Sequence, residues 1–362
     1  MMMKNPFISK TEHNSEYLTA TCSLNKVKFA KLPLYGIEDE IEGKQMSELF
    51  GAGIIMDEIA YNADALGIDI SKYPRTDLPK ILDEKIDEGN KIALKIAEKF
   101  GNRLGMLLLL LKTGLPENRI AREDWDETHW EYWANVETIF LVGGIANGRM
   151  CDYMLEVVQE LFKKANVPMY HIVRNVESLE VGAKGCITQI KEGGPVQILF
   201  DFGQTMIKRM IAVRSSEKDE YKLIKLPSKR NINMGCNITD ENENRRQAEE
   251  LHQFILESIL ETYYEATQYG SVGWEIVISI ASYVKDGKIY EARSGYAKLC
   301  TLSDNYAGFL AACLELKLDR SVMVKLVHDG TAAALYYKGV EKAVCITAGT
   351  ALGVGFPEIM LE

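Results

Sequence analysis

Four short stretches of this 362-residue chain combine residue types that can hold phosphate and move a proton. DFGQT, residues 201–205, sets the Asp201 carboxylate at the end of an apolar run. Gly203 follows, where backbone can come close to a ligand, then Gln204 and the Thr205 hydroxyl, which can bond a phosphate oxygen. Lys208 is near enough to add positive charge. TAGTALGVG, residues 347–355, offers unhindered backbone N–H groups around Gly349, Thr350 and Gly353, the material of an anion nest. VGGIANG, residues 142–148, has Gly143 and Gly144 side by side and Asn147 behind them; it can admit a flat base, or a phosphate at the N-terminus of the helix that follows. In LVHDGTAAAL, residues 326–335, Asp329 stands between a β-rich run and the small residues that begin a helix. A carboxylate there either caps the helix or takes the proton from a substrate hydroxyl as general base, and the sequence leaves the two roles level. Any one glycine turn reads as a plain structural junction, but three in one chain point to phosphate binding.

The elements that must position these residues alternate between helix and strand. Residues 43–67 and 84–112 carry apolar positions three and four apart and predict two helices, the second well buried. ETIFLVGGIANG (137–148) predicts a buried strand and glycine turn, followed by a helix over 149–165. A short strand is expected at 171–175 and a helix over 177–192, ended by Gly193, Gly194 and Pro195. Beyond that boundary, 196–213 predicts a strand hairpin about the DFGQ turn, 220–228 a third strand and 246–266 an amphipathic helix with acids in its first turn. Strands are expected at 274–282 and 321–329, helices at 306–317 and 331–339, and a strand, turn and strand over 342–356. The fold class is α/β with two lobes.

Composition narrows the function. Forty-two Lys and Arg against 52 Asp and Glu leave a net charge of −10, which disfavours general binding to nucleic acid or to anionic membrane surfaces. The longest apolar run, Leu104 to Leu111, is far short of the roughly 20 residues that span a bilayer. The polar N-terminus has no apolar stretch of the export type, so a cytoplasmic location is expected. Seven scattered cysteines without a CxxC pair read as reduced thiols, and five isolated histidines as no metal cluster. The cluster Trp125, Trp130, Tyr132 and Trp133 reads as a contact patch between subunits or, equally, as core or a lobe-closing element. His129 beside it reads as a packing or surface residue rather than a catalytic one.

Over residues 196–356, DFGQT, ISIASYVKDGKIYEA (278–292), HDGTAAAL and TAGTALGVG resemble, in order, the first phosphate motif, the substrate segment, the catalytic-aspartate motif and the second phosphate motif of the ROK and hexokinase group of sugar kinases. That group belongs to the actin-like ATPase superfamily. MSELFGAGI (46–54), the long helix over 84–112, ETIFLVGGIANG and ESLEVGAKGCITQI (177–190) resemble the family's closing portion, with its adenosine motif. The family runs from first phosphate motif to adenosine motif, whereas here the adenosine motif comes first. The resemblance therefore implies a circularly permuted two-lobed actin-like ATPase (ribonuclease H-like) fold. Residues 1–192 are the usual second half, 193–195 a linker, 196–335 the first lobe and 336–362 the start of the second lobe. A fragment of a tandem protein is the competing reading.

Carried over by position, the resemblance implies that Asp201 holds Mg²⁺ through water and that Gly203, Gln204, Thr205 and Lys208 face the phosphates of ATP. Gly349, Thr350 and Gly353 take the other side of the phosphate tail, and Gly143, Gly144 and Asn147 border the adenosine. Asp329 activates the acceptor, with Ser282 and His328 beside it. ATP and Mg²⁺ are the implied cofactors, a small-molecule acceptor of the sugar class the partner, and a homodimer the assembly; neither nucleic acid nor membrane is expected. The chain departs from the family on the acceptor side. His328 stands where the family has Asn, and no Glu-x-Gly-His sugar segment or cysteine-rich zinc motif is found in 1–45 or 356–362. Glu38, Glu40 and Glu358 are the acids nearest in kind, and RSGYAKL (293–299) fills the place of a sugar-contacting loop without its Asn. The expected function is an ATP-dependent phosphotransferase acting on a hydroxyl of a sugar or sugar-like molecule. The alternative is a non-catalytic or ATPase-only member acting as sensor or regulator.

Overall fold

The computed structural model describes residues 4–12, 14–37, 39–174, 178–191 (backbone only for 178 and 179), 194–215, 220–236, 238–290 and 294–361. The strands, numbered along the chain, are β1 (Ile8–Lys10), β2 (Glu16–Leu18), β3 (Thr138–Val142), β4 (His171–Arg174), β5 (Val196–Phe202), β6 (Met206–Arg214) and β7 (Tyr221–Arg230), then β8 (Glu275–Ile280), β9 (Val284–Lys285), β10 (Lys288–Ile289), β11 (Met323–His328), β12 (Ala343–Ala348) and β13 (Leu352–Gly355). The division at 193–195 concerns the order of motifs along the sequence. In space the chain forms two compact units, one of Met1–Phe7, Thr21–Leu179 and Glu341–Val354, the other of Ile8–Ala20, Glu180–Val340 and Gly355–Glu362. The architecture is mixed α/β.

The first unit is built on a four-stranded sheet of order β13-β12-β3-β4, in which β12, β3 and β4 run parallel. Its helices are α1 (Met46–Leu49), α2 (Ala52–Tyr61), α3 (Ala63–Leu66), α4 (Leu78–Asp87), α5 (Lys91–Thr113), α6 (Pro116–Ile120), α7 (Glu127–Asn135) and α8 (Arg149–Ala165). The two long helices expected over 43–67 and 84–112 are each broken. Gly51, at φ 153°, starts α2 afresh, and Asn62 separates α2 from α3. Gly89, at φ 72°, turns the chain after α4, and the Asn90 side chain accepts hydrogen bonds from the N–H groups of Ile92 and Ala93 to cap α5. Apolar periodicity survives such a break because both pieces face the same core. The run Met106–Leu111 is buried throughout. Gly101 and Gly105 let α8 come close, since a Cβ there would lie 2.8 Å from the Val157 Cβ and 2.6 Å from the Leu161 Cδ1.

The aromatic cluster is core, not a contact patch between subunits. Trp125, Trp130, Tyr132 and Trp133 are all buried, and Phe7 meets Trp125 edge-on at 5.3 Å between ring centroids. His129 stacks on Trp125 and bonds Asp126, as its packing role required.

The second unit holds a five-stranded sheet of order β11-β8-β5-β6-β7. β11, β8 and β5 are parallel, and β6 and β7 complete it antiparallel. Its helices are α9 (Ser178–Ile187), α10 (Glu241–Ala266), α11 (Tyr306–Leu318) and α12 (Asp329–Leu335). All six residues of β8 are buried, as a central parallel strand with both faces covered must be. On one face Ile198, Phe200, Ile276 and Ile278 join Leu251, Ile255 and Ile259 of α10 and Leu310 and Leu314 of α11 in a single core. Elsewhere in the unit α9 crosses α12 closely, because a Cβ on Gly185 would lie 1.7 Å from the Ala332 carbonyl oxygen. The helix expected over 331–339 ends at Leu335, and tight turns such as the Tyr337 N–H to the Ala334 carbonyl carry the chain on.

Candidate functional site

Parallel strands in register deliver their last residues to one edge of the sheet. In the second unit Asp201 on β5 lies opposite Ser279 on β8 and opposite Lys208 on β6, while His328 at the end of β11 lies opposite Ile280. Ligands of open α/β sheets bind at this carboxyl edge. The Lys208 ammonium donates to Asp201 Oδ2 at 2.6 Å, and the Ser279 hydroxyl donates to Oδ1 at 3.2 Å. Burial alone would lower the pKa of Lys208, but the charge and hydrogen bond of Asp201, with the charge of Asp329, raise it on balance. The lysine therefore stays a cation between two acids.

The two roles open to Asp329 separate here. The residue that caps α12 is His328, whose Nδ1 accepts the Thr331 N–H at 3.3 Å. The neutral imidazole then carries its proton on Nε2, and that atom faces Asp329 Oδ1 at 3.3 Å. Burial lowers the pKa of His328, against the opposing charge of Asp329, and so favours this neutral form. The ring is held flat against Tyr283, 4.6 Å away. Asp329 Oδ1 also accepts the Gly330 N–H at 2.7 Å. Burial raises the pKa of Asp329, Asp201 raises it further, and His328, the Gly330 N–H and Lys208 pull it down; the net direction is up. With 31% of its side-chain surface exposed, the carboxyl remains reachable.

The DFGQT turn is tied down by its surroundings. The Gly203 N–H donates to the Met206 carbonyl, and the Gly203 carbonyl accepts from Asn231 Nδ2 and the Tyr296 hydroxyl, each at 2.9 Å. Gln204 Nε2 donates to the Ala281 carbonyl, which commits that side chain to holding the turn. Thr205 is exposed, and its carbonyl accepts the Asn231 N–H. Ser282 is buried and accepts a hydrogen bond from the Ser294 hydroxyl at 2.8 Å.

The glycine turns at 142–148 and 347–355 meet in the first unit. Thr347 pairs with Val142, and beyond that pair Gly143 takes φ 103° with no room for a Cβ, which would lie 2.3 Å from the Ala348 carbonyl oxygen. The Ile145 N–H donates to the same oxygen. Gly144 and Gly349 face open space, and Gly353 sits within β13. The Gly349 carbonyl accepts the Ala52 N–H at the start of α2, and Gly51 leaves room for the Thr350 backbone, 2.5 Å from where its Cβ would stand. A phosphate does not fit the start of α8, which was one of the two roles open to this turn. The Asp83 carboxylate already accepts the Met150 N–H there at 2.7 Å, beside Gly148, and would repel an anion. The surface beside Gly144 and Asn147 remains for a flat base. Gly143→Ala is accordingly expected to lower stability by about 2–4 kcal/mol, from positive-φ strain and the collision together. Gly144→Ala should be near neutral; paired melts of the two variants check this.

Sequence reasoning missed Ser279, Tyr296 and Asn231, which hold Asp201 and its turn, and Asp83. None lies within a phosphate-like motif; Ser279 is brought in by strand register, Asn231 by the segment after β7, Tyr296 by the turn Gly295–Thr301 and Asp83 by α4. Of the acids considered for the acceptor side, Glu40 is solvated at 95% exposure and pairs with Lys44, Glu358 is half-buried, and Glu38 lies outside the described residues, as does Arg293.

Among the described residues no group of three His, Cys, Asp or Glu side chains could hold a metal ion, and no helix is long and apolar enough to cross a membrane. No protein-family model matches the chain, and no curated protein is significantly similar to it.

Proposed function

We propose that the protein is an ATP-dependent phosphotransferase that phosphorylates a hydroxyl of a small, sugar-like acceptor, with Asp329 as general base. The observation that supports this best is the pairing of roles at the end of β11. His328 caps the helix, so Asp329 is not spent on it and stands, with a raised pKa, beside the Asp201–Lys208 pair. A carboxylate whose pKa lies above the usual range is a stronger base.

In the proposed reaction the acceptor hydroxyl oxygen attacks the terminal phosphorus of ATP as its proton passes to a carboxylate oxygen of Asp329. The bond from that phosphorus to the bridging oxygen breaks, and ADP leaves with the electron pair. The His328 Nε2–H holds the Asp329 carboxyl through Oδ1. Lys208 offsets the negative charge gathered at this edge. The donor set suits Mg²⁺ held through water, because both Asp201 oxygens are already hydrogen-bonded and Mg²⁺ keeps several waters beside one or two carboxylates and the substrate phosphates. Bound there, Mg²⁺ would supply charge neutralisation on the phosphates.

The test is ADP release from Mg·ATP by the purified chain across sugars, amino sugars, sugar acids and polyols. Release stimulated by one acceptor and absent in Asp329→Asn is the expected result; ATP binding with no acceptor-stimulated turnover would leave the sensor or ATPase alternative in its place. Lys208 also sets a measurable pH dependence. Its charge lowers the pKa of Asp329, so Lys208→Met should push the acid limb of the kcat profile to higher pH. An unmoved limb would separate Lys208 from the base.

A further inference from the structure

Beside the carboxyl edge of the second unit, a cavity of about 210 Å³ lies under the turn Gly295–Thr301, lined by Gly235, Asn244, Ser294, Ala297 and Lys298 among others. Lys298 is only 5% exposed. Its ammonium donates to the Asn233 carbonyl and, at 2.9 Å, to Gln247 Oε1, both neutral oxygens. An ammonium has three donors, and among the described residues no carboxylate forms an ion pair with this one. A buried cation without a counter-charge is costly, and the usual remedy is an anion. Cys236 in the cavity wall and Glu243 act on Lys298 through charge, but Cys236 is a thiol and Glu243 is itself bound by Arg246 at 2.6 Å and by Gln247.

The cavity belongs to the same neighbourhood as the proposed base. Its wall residue Ser294 donates to Ser282, two residues beyond Ile280, the strand partner of His328. Tyr296, in the same turn as Lys298, bonds the Gly203 carbonyl, and both Asp201 and Asp329 are close enough to act on its hydroxyl through their charge. From this we infer that the acceptor carries an anionic group, a carboxylate or a phosphate, which seats in this cavity against Lys298 while one of its hydroxyls is phosphorylated. The inference rests on the kinase reading and names its substrate class: hydroxy acids or phosphorylated polyols rather than neutral sugars. Asn244 in the cavity wall is the polar companion for such a group.

The experiment is calorimetric titration of the full chain, without nucleotide, with paired compounds: glycerate and glycerol, gluconate and glucitol, glucuronate and glucose, glycerol 3-phosphate, and inorganic phosphate. Each is repeated on Lys298→Met and on Asn244→Asp. The second variant places a carboxylate in the cavity at the first turn of α10, where an acid suits the helix, and so removes the site without removing the lysine. At least one anionic compound should bind at least tenfold more tightly than its neutral partner, and both variants should weaken it at least tenfold with Mg·ADP affinity unchanged. The assignment is overturned if no anion exceeds its neutral partner or if neither variant weakens it. It is equally overturned if Mg·ADP affinity is what falls in Lys298→Met, because the anion would then be a nucleotide phosphate. Anion binding lost in both variants, with no acceptor supporting ADP release, would keep the Lys298 site and remove the kinase reading. Turnover of a neutral acceptor that both variants leave intact would do the reverse.

Discussion

Asp329→Asn is expected to lower kcat for the true acceptor by about 10²–10⁴-fold, the usual worth of a positioned general base, while leaving the protein at least as stable as its parent. The two effects have one cause. Burial and the charge of Asp201 raise the folded-state pKa of Asp329 above its unfolded value, so the folded state binds a proton more tightly than the unfolded chain. The stability this contributes is fully present below the unfolded pKa and is lost as pH rises through the folded one, above which the ionised, buried carboxylate is a liability. A neutral amide removes that liability and the base together. For the parent protein, the proposed reading has kcat fall as pH drops through the raised pKa, an acid limb above the ordinary carboxylate range near 4. Coupled ADP-release assays and thermal melts over pH 4–9 read both effects. A variant that kept its turnover, or lost it only by melting, would take the base assignment away.

Gly185→Ala is expected to cost about 2 kcal/mol or more and to reduce activity in whatever protein remains folded, although Gly185 touches no proposed ligand. A methyl at this position would stand 1.7 Å from the Ala332 carbonyl oxygen, with the Tyr336 N–H at 3.3 Å, so α9 and α12 would have to separate. That overpacking outweighs the roughly 1 kcal/mol that alanine gains over glycine inside a helix. Because α12 begins at Asp329, its displacement moves the base. Gly182 supplies the control, since it lies in the same helix with open space where its Cβ would go. Gly182→Ala should be neutral or slightly stabilising. Equal melts for the two variants would mean that the α9–α12 crossing is not tight.

Periodicity and β-propensity alone placed β5, β6, β8, β11 and α10, because each buries a continuous apolar face that only one secondary structure can present. The same signal ran through Gly51 and Gly89, where helices break. Apolar spacing reports which residues face the core, whereas a break is decided by backbone conformation and capping, as by Asn90. The aromatic cluster left core and contact patch open, for composition cannot say on which side of a surface a ring will lie. Asp201 and Asp329 were legible at the ends of apolar, β-rich runs and Lys208 as a nearby cation, since their types and neighbours are local facts.

Their partners were not legible. Ser279 reaches Asp201 through parallel register, Tyr296 and Asn231 hold the Gly203 carbonyl from distant loops, and Asp83 closes the start of α8 to phosphate. Only the tertiary structure gave the cap of α12 to His328 rather than to Asp329, by turning the His328 ring so that Nδ1 meets the Thr331 N–H. It alone also left Lys298 buried against two neutral oxygens. The sequence by itself determined which side chains can carry charge and protons and which strand ends present them. Which of them are paired, neutral or left wanting a counter-ion depends on the groups brought within about 4 Å, and that is settled by packing between segments far apart in the chain.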